Sequence, residues 1–296
     1  MHRPTAPAGL NRRAGLAALA AMSLSGCSAS GLLNTFVPRA SYRGRQDIAY
    51  GPDPRQKLDT YQPLESRGLA PLVIFFYGGS WTRGDRADYR FVGEALAAHG
   101  AVAVLPDYRL SPQVRYPVFL EDSARAVQWA VRHAPELGCD PRKIYLMGHS
   151  AGAYNAAMLA LDPRWLATVG LAPGQFAGWI GIAGPYDFLP IENPEAQVAF
   201  HWPSTPADSQ PLAQATAAAP RTLLLAPEKD SLVNPRRSTM ALGEKLKSLG
   251  VDARWRLLDG VSHITIMASL AKPLSWLSPV RAEVLAFLGL QSPPMS

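Results

Sequence analysis

Features that define several other classes of protein are missing from this chain of 296 residues. It has only two cysteines, Cys27 and Cys139, which excludes a disulfide-rich scaffold. Beyond the N-terminus, no apolar run approaches the roughly 20 residues of a membrane-spanning helix, so a polytopic membrane protein is excluded. Lysine and arginine form no dense cluster, and nucleic-acid binding therefore has no electrostatic basis. No internal repeat is evident in the sequence.

What the chain does contain is the material for a folded core. Apolar residues make up 48% of the sequence and charged residues 18%, a balance that leaves no case for a disordered protein. The 24 glycines and 27 prolines are not periodic, so they indicate many turns and not a collagen-like chain. The length is compatible with one large α/β domain or with two smaller domains.

The first 26 residues have the composition of an export signal. They contain three cations and no acid, then an apolar stretch from Ala14 to Leu24, and then small residues before Cys27. The segment Leu24-Ser25-Gly26-Cys27 resembles the lipobox of bacterial lipoproteins. In that family the cysteine thiol receives a diacylglycerol and the peptide is cut before it. The alternative is an ordinary signal peptide whose cleavage site happens to lie near a cysteine.

This resemblance implies an exported, membrane-anchored lipoprotein that faces the periplasm or the cell surface. Residues 1–26 would be the signal peptide, Cys27 the lipidation site, and residues 27–41 a tether between lipid and domain. Without residues 1–26, the formal net charge falls from +6 to +3, because the leader holds three cations and no acid. Cys139 would then be the lone thiol of the mature chain, and we expect it to be a buried small hydrophobe.

From about residue 42 onward, strand-like and helix-like segments alternate. The predicted strands are residues 72–76, 101–105, 143–147, 179–183, 221–226 and 253–258. The predicted helices are residues 87–99, 118–134, 151–161 and 235–249, with a last helix that opens at Ser278-Pro279. This alternation predicts one α/β domain over residues 42–296, with a mostly parallel central sheet and helices on both faces. Residues 185–219, rich in proline and alanine, are interpreted as a cap inserted over the carboxyl ends of the strands.

The segment Gly148-His149-Ser150-Ala151-Gly152 has the pattern G-x-S-x-G of a nucleophile elbow. A predicted strand precedes it and a predicted helix follows it, which is the context that the motif requires. Ser150 must sit in a sharp, strained turn with its hydroxyl exposed, and only residues without bulky Cβ substituents let strand and helix approach there. The alternative is a tight strand-to-helix turn without chemistry.

With this motif, the chain from residue 45 to residue 290 resembles an α/β-hydrolase of the esterase/lipase group. Carboxylesterases and kynurenine formamidases carry a His-Gly-Gly-x-Trp or His-Gly-Gly-Gly loop where this chain has Tyr77-Gly78-Gly79-Ser80-Trp81. The resemblance implies that the backbone N–H groups of Gly79, Ser80 and Ala151 bind the oxyanion. The sequence departs from the pattern at Tyr77, which stands where the family has a histidine that braces the loop. Asp107 to Pro112 also looks like a segment of these esterases and is interpreted as structural.

The base that activates Ser150 is predicted to be His263. In this fold the chain order is serine, then aspartate or glutamate, then histidine, which leaves His201 and His263. His263 follows the last predicted strand, where the fold presents its base, whereas His201 falls in the predicted cap.

The acid is predicted to be Asp230, in the loop after the strand at 221–226 and before the next helix, the family's usual position. Its alternative role is an N-terminal cap for that helix. Asp187, after the strand at 179–183, is the runner-up, because some hydrolases move the acid one strand earlier. Glu228 and Asp259 are weaker alternatives.

These residues predict a serine hydrolase that cleaves carboxylic esters of small or aromatic substrates through an acyl-enzyme intermediate. Trp81 and Trp202, with Phe200, are candidate walls of the substrate pocket, and core packing is the alternative. We expect no cofactor and no metal, since no cluster has metal-ligand spacing. The expected partners are a small-molecule ester and the membrane, reached through the lipid on Cys27. The alternatives are an amidohydrolase that cleaves aryl formamides and a catalytically inactive binding protein on a hydrolase fold.

Overall fold

The computed structural model describes residues 33–38, 40–65 and 68–290. The predicted signal peptide, Cys27 and part of the predicted tether lie outside these residues. In the described part, eight strands form one sheet in the order β1-β2-β4-β3-β5-β6-β7-β8. The strands are β1 (Arg43–Ala49), β2 (Lys57–Gln62), β3 (Ala70–Phe76), β4 (Val102–Pro106), β5 (Cys139–His149), β6 (Gly178–Ile182), β7 (Thr222–Pro227) and β8 (Ala253–Leu258).

The sheet is parallel from β4 to β8, and β1 and β2 extend it by antiparallel pairing. Strands β4, β6 and β7 are buried at every residue, as expected when a parallel strand is covered on both faces. The predicted fold class, α/β with a mostly parallel central sheet, is therefore confirmed.

The five predicted helices are present, most with shifted boundaries, and the described residues also contain four short helices that were not predicted. Together they are α1 (Arg90–Ala97), α2 (Val118–His133), α3 (Ala151–Leu161), α4 (Pro163–Ala167), α5 (Pro194–Ala199), α6 (Pro211–Gln214), α7 (Ala241–Ser248), α8 (Thr265–Ala268) and α9 (Val280–Phe287). The predicted helix at 87–99 begins instead with a 3₁₀ turn, Arg86–Tyr89, and the one at 235–249 begins with a π-helical turn, Arg236–Met240. Within the described residues, no helix has both the length and the apolar character needed to cross a membrane.

Helix α3 passes through the core, and every one of its residues is buried. Its sequence is rich in alanine, which has the highest helix propensity and a side chain small enough for close packing against the sheet. Cys139, at the start of β5, is buried and free, as expected. Burial raises the pKa of its thiol to about 12, so it stays protonated near neutral pH.

The loops that carry the predicted site residues leave the sheet at one edge. Strands β3, β5, β6, β7 and β8 are parallel, and the ladder pairs Phe76 with Gly148, His149 with Ile182, and Pro227 with Leu258. The carboxyl ends of these strands therefore meet in space although they are distant along the chain. In open α/β sheets this edge is where ligands bind.

Residues 185–219 connect β6 to β7 and contain the short helices α5 and α6. Phe200, at the end of α5, is fully buried, whereas Trp202 is 53% exposed. Buried side chains such as Phe200 thus attach the segment to the body of the protein, and the segment is mostly irregular outside its short helices. Its role as a cap stays a prediction.

Candidate active site

Ser150 lies in the sharp turn between β5 and α3. Its backbone has φ 53° and ψ −122°, a left-handed conformation that an ordinary side chain rarely adopts and that stores strain. The Ser150 N–H donates to the carbonyl of Ile182 at 2.9 Å, and its own carbonyl accepts from Tyr154 N–H at 3.1 Å. The neighbouring strand and the first turn of the helix together hold the strained residue in place.

The two glycines of the motif are required by close packing. A Cβ on Gly148 would lie 2.2 Å from the carbonyl oxygen of Gly152, and a Cβ on Gly152 would lie 2.1 Å from that of Phe76. Gly78, in the facing loop, is similar, because its Cβ would lie 2.8 Å from the Cβ of Ser150. At these three positions around Ser150, a residue with a Cβ would therefore collide with its neighbours, and only glycine fits.

His263 and Asp230 are brought together by the loops after β8 and β7. The Nδ1 of His263 lies 2.7 Å from Oδ2 of Asp230, and the imidazole is 6% exposed. Oδ1 of Asp230 also accepts from the N–H groups of Leu232 and Val233, at 2.8 and 3.1 Å. Burial by itself would raise the pKa of Asp230, but the bond and charge of His263 and these two N–H groups lower it below its usual value. The carboxylate is therefore ionised and holds Nδ1–H toward itself.

The other candidate acids are engaged elsewhere or exposed. Asp187, the runner-up, accepts two hydrogen bonds from the guanidinium of Arg237, at 2.9 and 3.0 Å. Glu228 and Asp259 are exposed. Within the described residues, Asp230 is the carboxylate that is hydrogen-bonded to His263.

Ser150 and His263 line the same pocket, of about 280 Å³. In the part of the chain that the structure describes, no hydrogen bond joins the Ser150 hydroxyl to the imidazole. Such bonds are often long or poorly aligned before substrate binds, and they shorten in the reacting complex.

The loop after β3 forms the facing wall of this pocket. Ser80 and Trp81 line it and have φ values of 52° and 59°, so two consecutive non-glycine residues are left-handed. Ala151 also lines the pocket, and its N–H opens α3 and has no partner within the helix. Gly79, with φ 135°, is not among the described residues that line the pocket, and its carbonyl oxygen accepts from the N–H groups of Thr82 and Arg83. Its part in binding an oxyanion stays a prediction.

Tyr77, where the family has histidine, is fully buried under this loop. Its ring stacks on those of Tyr108 and Tyr89, at centroid distances of 4.9 and 5.8 Å. Its hydroxyl accepts from Arg55 at 2.7 Å, and its carbonyl accepts from the Tyr108 hydroxyl at 2.8 Å. The loop is thus braced by an aromatic stack. The neighbouring Asp107 pairs with the buried Arg86, which agrees with the structural interpretation of its segment.

Trp81 anchors the loop from inside the protein. Its indole N–H donates to Oδ1 of the buried Asn155 on α3 at 3.0 Å. Its ring contacts Phe200 at 4.7 Å and Phe188 at 6.0 Å, so it both lines the pocket and packs against residues 185–219.

The structure corrects the prediction for Trp202. This side chain is exposed and is not part of the pocket wall. Phe188, which the sequence reasoning missed, lines the pocket instead. Phe188 follows Asp187 in an irregular segment, where no periodic pattern indicates which way a side chain points. His201 lies outside the pocket wall, and its Nε2 is hydrogen-bonded to the carbonyl of Tyr116 at 2.7 Å.

His149 is a second residue whose role the sequence reasoning missed. It is 6% exposed, and its Nε2 lies 2.9 Å from the carbonyl oxygen of His263, whereas its Nδ1 has no hydrogen-bond partner among the described residues. Burial, and then the nearby His263, lower the pKa of His149 to about 3. It is therefore neutral near pH 7 and donates through Nε2. Position 149 is an unspecified x in the motif, so the pattern carried no signal for it.

Charged side chains bridge residues 185–219 to the rest of the pocket. Arg83, beyond the loop after β3, pairs with Glu195 on α5. Arg237, in the π-helical turn, pairs with Asp187 and also donates to the carbonyl of Leu189.

As for metals, the described residues contain no group of three or more histidine, cysteine, aspartate or glutamate side chains arranged to bind an ion.

Comparison with known proteins identifies the family. Residues 58–246, more than half of the chain, match the family model described as BD-FAE. The chain belongs to the BD-FAE family. The predicted resemblance to α/β-hydrolase esterases is thereby confirmed.

Two curated relatives illustrate what this BD-FAE protein is similar to. A probable isoprenylcysteine alpha-carbonyl methylesterase of Arabidopsis thaliana is 28% identical over 241 residues, covering 74% of this chain and 50% of that protein. A kynurenine formamidase of Danio rerio is 32% identical over 145 residues, covering 49% of this chain and 47% of that protein. The chain therefore spans about half the length of these curated relatives.

Among solved structures, esterase B from Lactobacillus rhamnosis, in an inhibited form, has a TM-score of 0.72 and 20% identity. The match covers 93% of this chain and 95% of that one. At this identity the likeness shows the fold.

Proposed function

We propose that this BD-FAE protein hydrolyses carboxylic esters through a covalent intermediate on Ser150. The observation that supports this most is the 2.7 Å contact between His263 and Asp230, in a pocket whose wall also includes Ser150. An ionised acid that holds Nδ1–H leaves Nε2 of the imidazole free to accept a proton, which is what a serine nucleophile needs. The esterase relatives are consistent with this reaction class.

In the first half of the reaction, Nε2 of His263 removes the proton of the Ser150 hydroxyl, and Oγ attacks the ester carbonyl. By the resemblance to esterases, the donors to the resulting oxyanion are the N–H groups of Gly79, Ser80 and Ala151, and donors held in place before charge develops stabilise it most. The imidazolium then gives its proton to the departing alcohol, and an acyl-enzyme is left.

In the second half, His263 removes a proton from water, and the hydroxide attacks the acyl carbon. Collapse of the second tetrahedral intermediate returns the proton to Ser150 Oγ and releases the carboxylic acid. Asp230 stabilises the imidazolium in both halves without itself becoming protonated.

The test is hydrolysis of p-nitrophenyl acetate by wild-type protein and by Ser150→Ala. We expect kcat to fall on the order of 10⁴-fold or more in the variant. Ser231→Ala, an exposed serine at the same edge of the sheet, is the matched control and should keep wild-type turnover. A fluorophosphonate should label the wild type and the control but not Ser150→Ala. Wild-type turnover by Ser150→Ala would refute the proposal, and absence of labelling on folded wild type would favour the inactive binding protein.

We propose small or aromatic esters as substrates, with residues 185–219 acting as the cap. The pocket, of about 280 Å³, is at the lower end of small-molecule sites. Trp81, Phe188 and Ile191 supply an apolar wall. In a series of p-nitrophenyl esters, kcat/KM should be highest for short acyl chains and fall for octanoate and longer chains. A steady rise with chain length would contradict this substrate class.

The alternative substrate is an aryl formamide. It is favoured by the similarity to a kynurenine formamidase and by the aromatic pocket wall. The same nucleophile and oxyanion site would serve it, since formyl transfer passes through the same kind of tetrahedral intermediate. Comparing kcat/KM for N-formylkynurenine and for phenyl acetate separates the two substrates.

We also propose that the chain is exported and anchored through a lipid on Cys27. This proposal is supported by the sequence of residues 1–27 alone. Expressed in a bacterium, the wild type should fractionate with membranes and incorporate labelled fatty acid, and Cys27→Ala should do neither. Equal membrane association of both proteins would refute the anchor.

A further inference from the structure

The position of the base relative to the nucleophile is not determined by the sheet. Ser150 follows β5 and the His263 loop follows β8, and β6 and β7 lie between these strands. With about 4.8 Å between adjacent strands, the two starting points are about 14 Å apart. The loop from 259 to 265 must therefore reach back along the edge of the sheet, and some contact must fix where it stops.

Two contacts fix this loop at His263 itself. Asp230 accepts from Nδ1 of the imidazole, and His149 holds the carbonyl oxygen of the same residue at 2.9 Å. The first contact comes from the loop after β7. The second comes from the elbow itself, since His149 directly precedes Ser150 in sequence.

The His149 side chain can make this contact in one tautomer. A carbonyl oxygen accepts only, so Nε2 must carry the proton, and Nδ1 then presents a lone pair that finds no partner in the described structure. Protonation of Nδ1 would bury a donor and a charge without a partner, which is costly. The lowered pKa of His149 has the same physical origin, burial first and the neighbouring His263 second.

The surroundings leave His149 little freedom. Its ring lies 5.0 Å from that of His263 and 6.5 Å from that of Tyr89. On the third side, a Cβ on Gly78 would lie 3.1 Å from Nδ1. Asp230, beyond His263, carries a negative charge that raises the pKa of His149, but burial and His263 lower that pKa by more.

We propose that His149 is a positioning residue that ties the His263 loop to the nucleophile elbow through its Nε2–H···O=C bond. The bond sets the distance and orientation of the imidazole relative to Ser150, because both ends of the link belong to residues next to or within the reacting pair. This inference rests on the proposed function. A displacement of about 1 Å between reacting groups can cost roughly 100-fold in rate, so such a link has a measurable effect.

The side chains of glutamine and asparagine provide a matched test. The amide nitrogen of glutamine is as many bonds from Cα as Nε2 of histidine, whereas that of asparagine corresponds to Nδ1. His149→Gln therefore keeps a donor at the right reach, His149→Asn keeps an amide without the reach, and His149→Leu removes the donor. His99→Leu, in the turn that follows α1 and away from the site, serves as a control.

Two readouts are required, kcat and KM for p-nitrophenyl acetate, and hydrogen exchange of residues 259–265. In His149→Leu and His149→Asn we expect kcat to fall about 10- to 100-fold, with KM changed less than about threefold. Exchange of the loop should be faster in both. His149→Gln should stay within about threefold of wild-type kcat and keep its exchange protection.

The proposal is overturned if glutamine and leucine behave alike in both readouts, whether both lose or both keep activity. The melting temperatures of all variants show whether a substitution unfolds the protein in general. If the melting temperatures fall, the difference in kcat and in loop exchange between His149→Gln and His149→Leu still decides whether the Nε2–H bond positions the loop. If wild-type hydrolysis proves independent of Ser150, the proposed function fails. Loop exchange then decides by itself whether His149 holds the loop, so the two failures are distinguishable.

Discussion

Asp230 and His149 are two buried titratable residues that contact the same histidine, and burial disfavours the charged form of both, yet only Asp230 is charged. Asp230 keeps its charge because His263 and two backbone N–H groups bind it. His149 loses its charge because it is buried, and no described group would accept a hydrogen bond from a protonated Nδ1. Hydrogen bonding to the charged form decides the outcome for the first residue, and desolvation decides it for the second.

Replacing Asp230 by asparagine tests which acid serves the site. An amide can present N–H to the imidazole and favour the wrong tautomer, so kcat for p-nitrophenyl acetate should fall about 10⁴-fold. Asp187→Asn, which weakens the pair with Arg237, should change kcat less than about tenfold. A larger loss of kcat in Asp187→Asn than in Asp230→Asn would reassign the acid to the strand before.

His149 also predicts a pH dependence of stability. Its folded pKa is lowered to about 3, whereas an unfolded histidine titrates near 6.5, so below that pH the unfolded chain binds a proton that the native state refuses. The contribution of a neutral His149 to the free energy of unfolding is therefore complete above about pH 6.5. It is lost as the pH falls from there toward the folded pKa of about 3.

Relative to His149→Gln, which cannot titrate, wild type should lose about 2 kcal/mol of unfolding free energy between pH 7 and pH 5. Urea unfolding of both proteins at pH 7, 6 and 5 measures the difference. Parallel pH profiles would mean that His149 is not neutral in the native protein.

At the scale of single elements, the loop after β3 contains two strained residues in succession. Ser80 and Trp81 are both left-handed, and each such residue costs about 1–3 kcal/mol. The bond from the Trp81 indole to Asn155 and the packing of the ring against Phe200 offset that cost. Because Asn155 lies on α3, which begins right after Ser150, the loop and the nucleophile share one support.

Trp81→Phe separates the hydrogen bond from most of the ring packing. It leaves the buried side-chain oxygen Oδ1 of Asn155 without its donor, which costs about 1–3 kcal/mol of stability, and it frees the loop. We expect a lower melting temperature and a lower kcat. Trp276→Phe, an exposed indole that donates to Pro273, removes the same kind of bond at the surface and should change neither. Equal effects of the two substitutions would contradict this account of the loop.

At the scale of the whole molecule, residues 185–219 are joined to the body by contacts of unequal strength. The Arg83–Glu195 pair is exposed and contributes little, because water screens it. The stronger attachment is Phe200, which is fully buried against the rings of Trp81, Tyr154 and Phe119. The same ring thus links this segment to the loop that faces Ser150.

Phe200→Ala should therefore affect stability and substrate binding together. Removing a fully buried phenylalanine costs about 3–5 kcal/mol, and the pocket wall formed by Phe188 and Trp81 should loosen, which raises KM. Val198→Ala, a 44% exposed residue on α5, is the control and should change stability by less than about 1 kcal/mol. Urea unfolding and KM for p-nitrophenyl acetate are the measurements. An unchanged KM in Phe200→Ala would show that the packing of Phe200 does not shape the pocket.

How well a strand could be predicted from the sequence depended on how much of it is buried. Strands β3 to β7 carry the continuous apolar runs that parallel strands covered on both faces must have, and they were recognised. Strands β1 and β2 were not recognised. Strand β1 is almost wholly exposed and polar, and β2 mixes charged with apolar residues, so neither shows a period from which burial can be inferred.

By itself, the amino-acid sequence determined the α/β alternation, the strained turn at Ser150 and the chain order of the candidate groups, because local propensity and glycine spacing are properties of neighbouring residues. Only the tertiary structure decided that Asp230 and not Asp187 meets His263, that Phe188 and not Trp202 forms the pocket wall, and that His149 reaches the base loop. Those contacts join residues from different strands. Their distances depend on how the sheet packs and where its loops turn back, which no local pattern records.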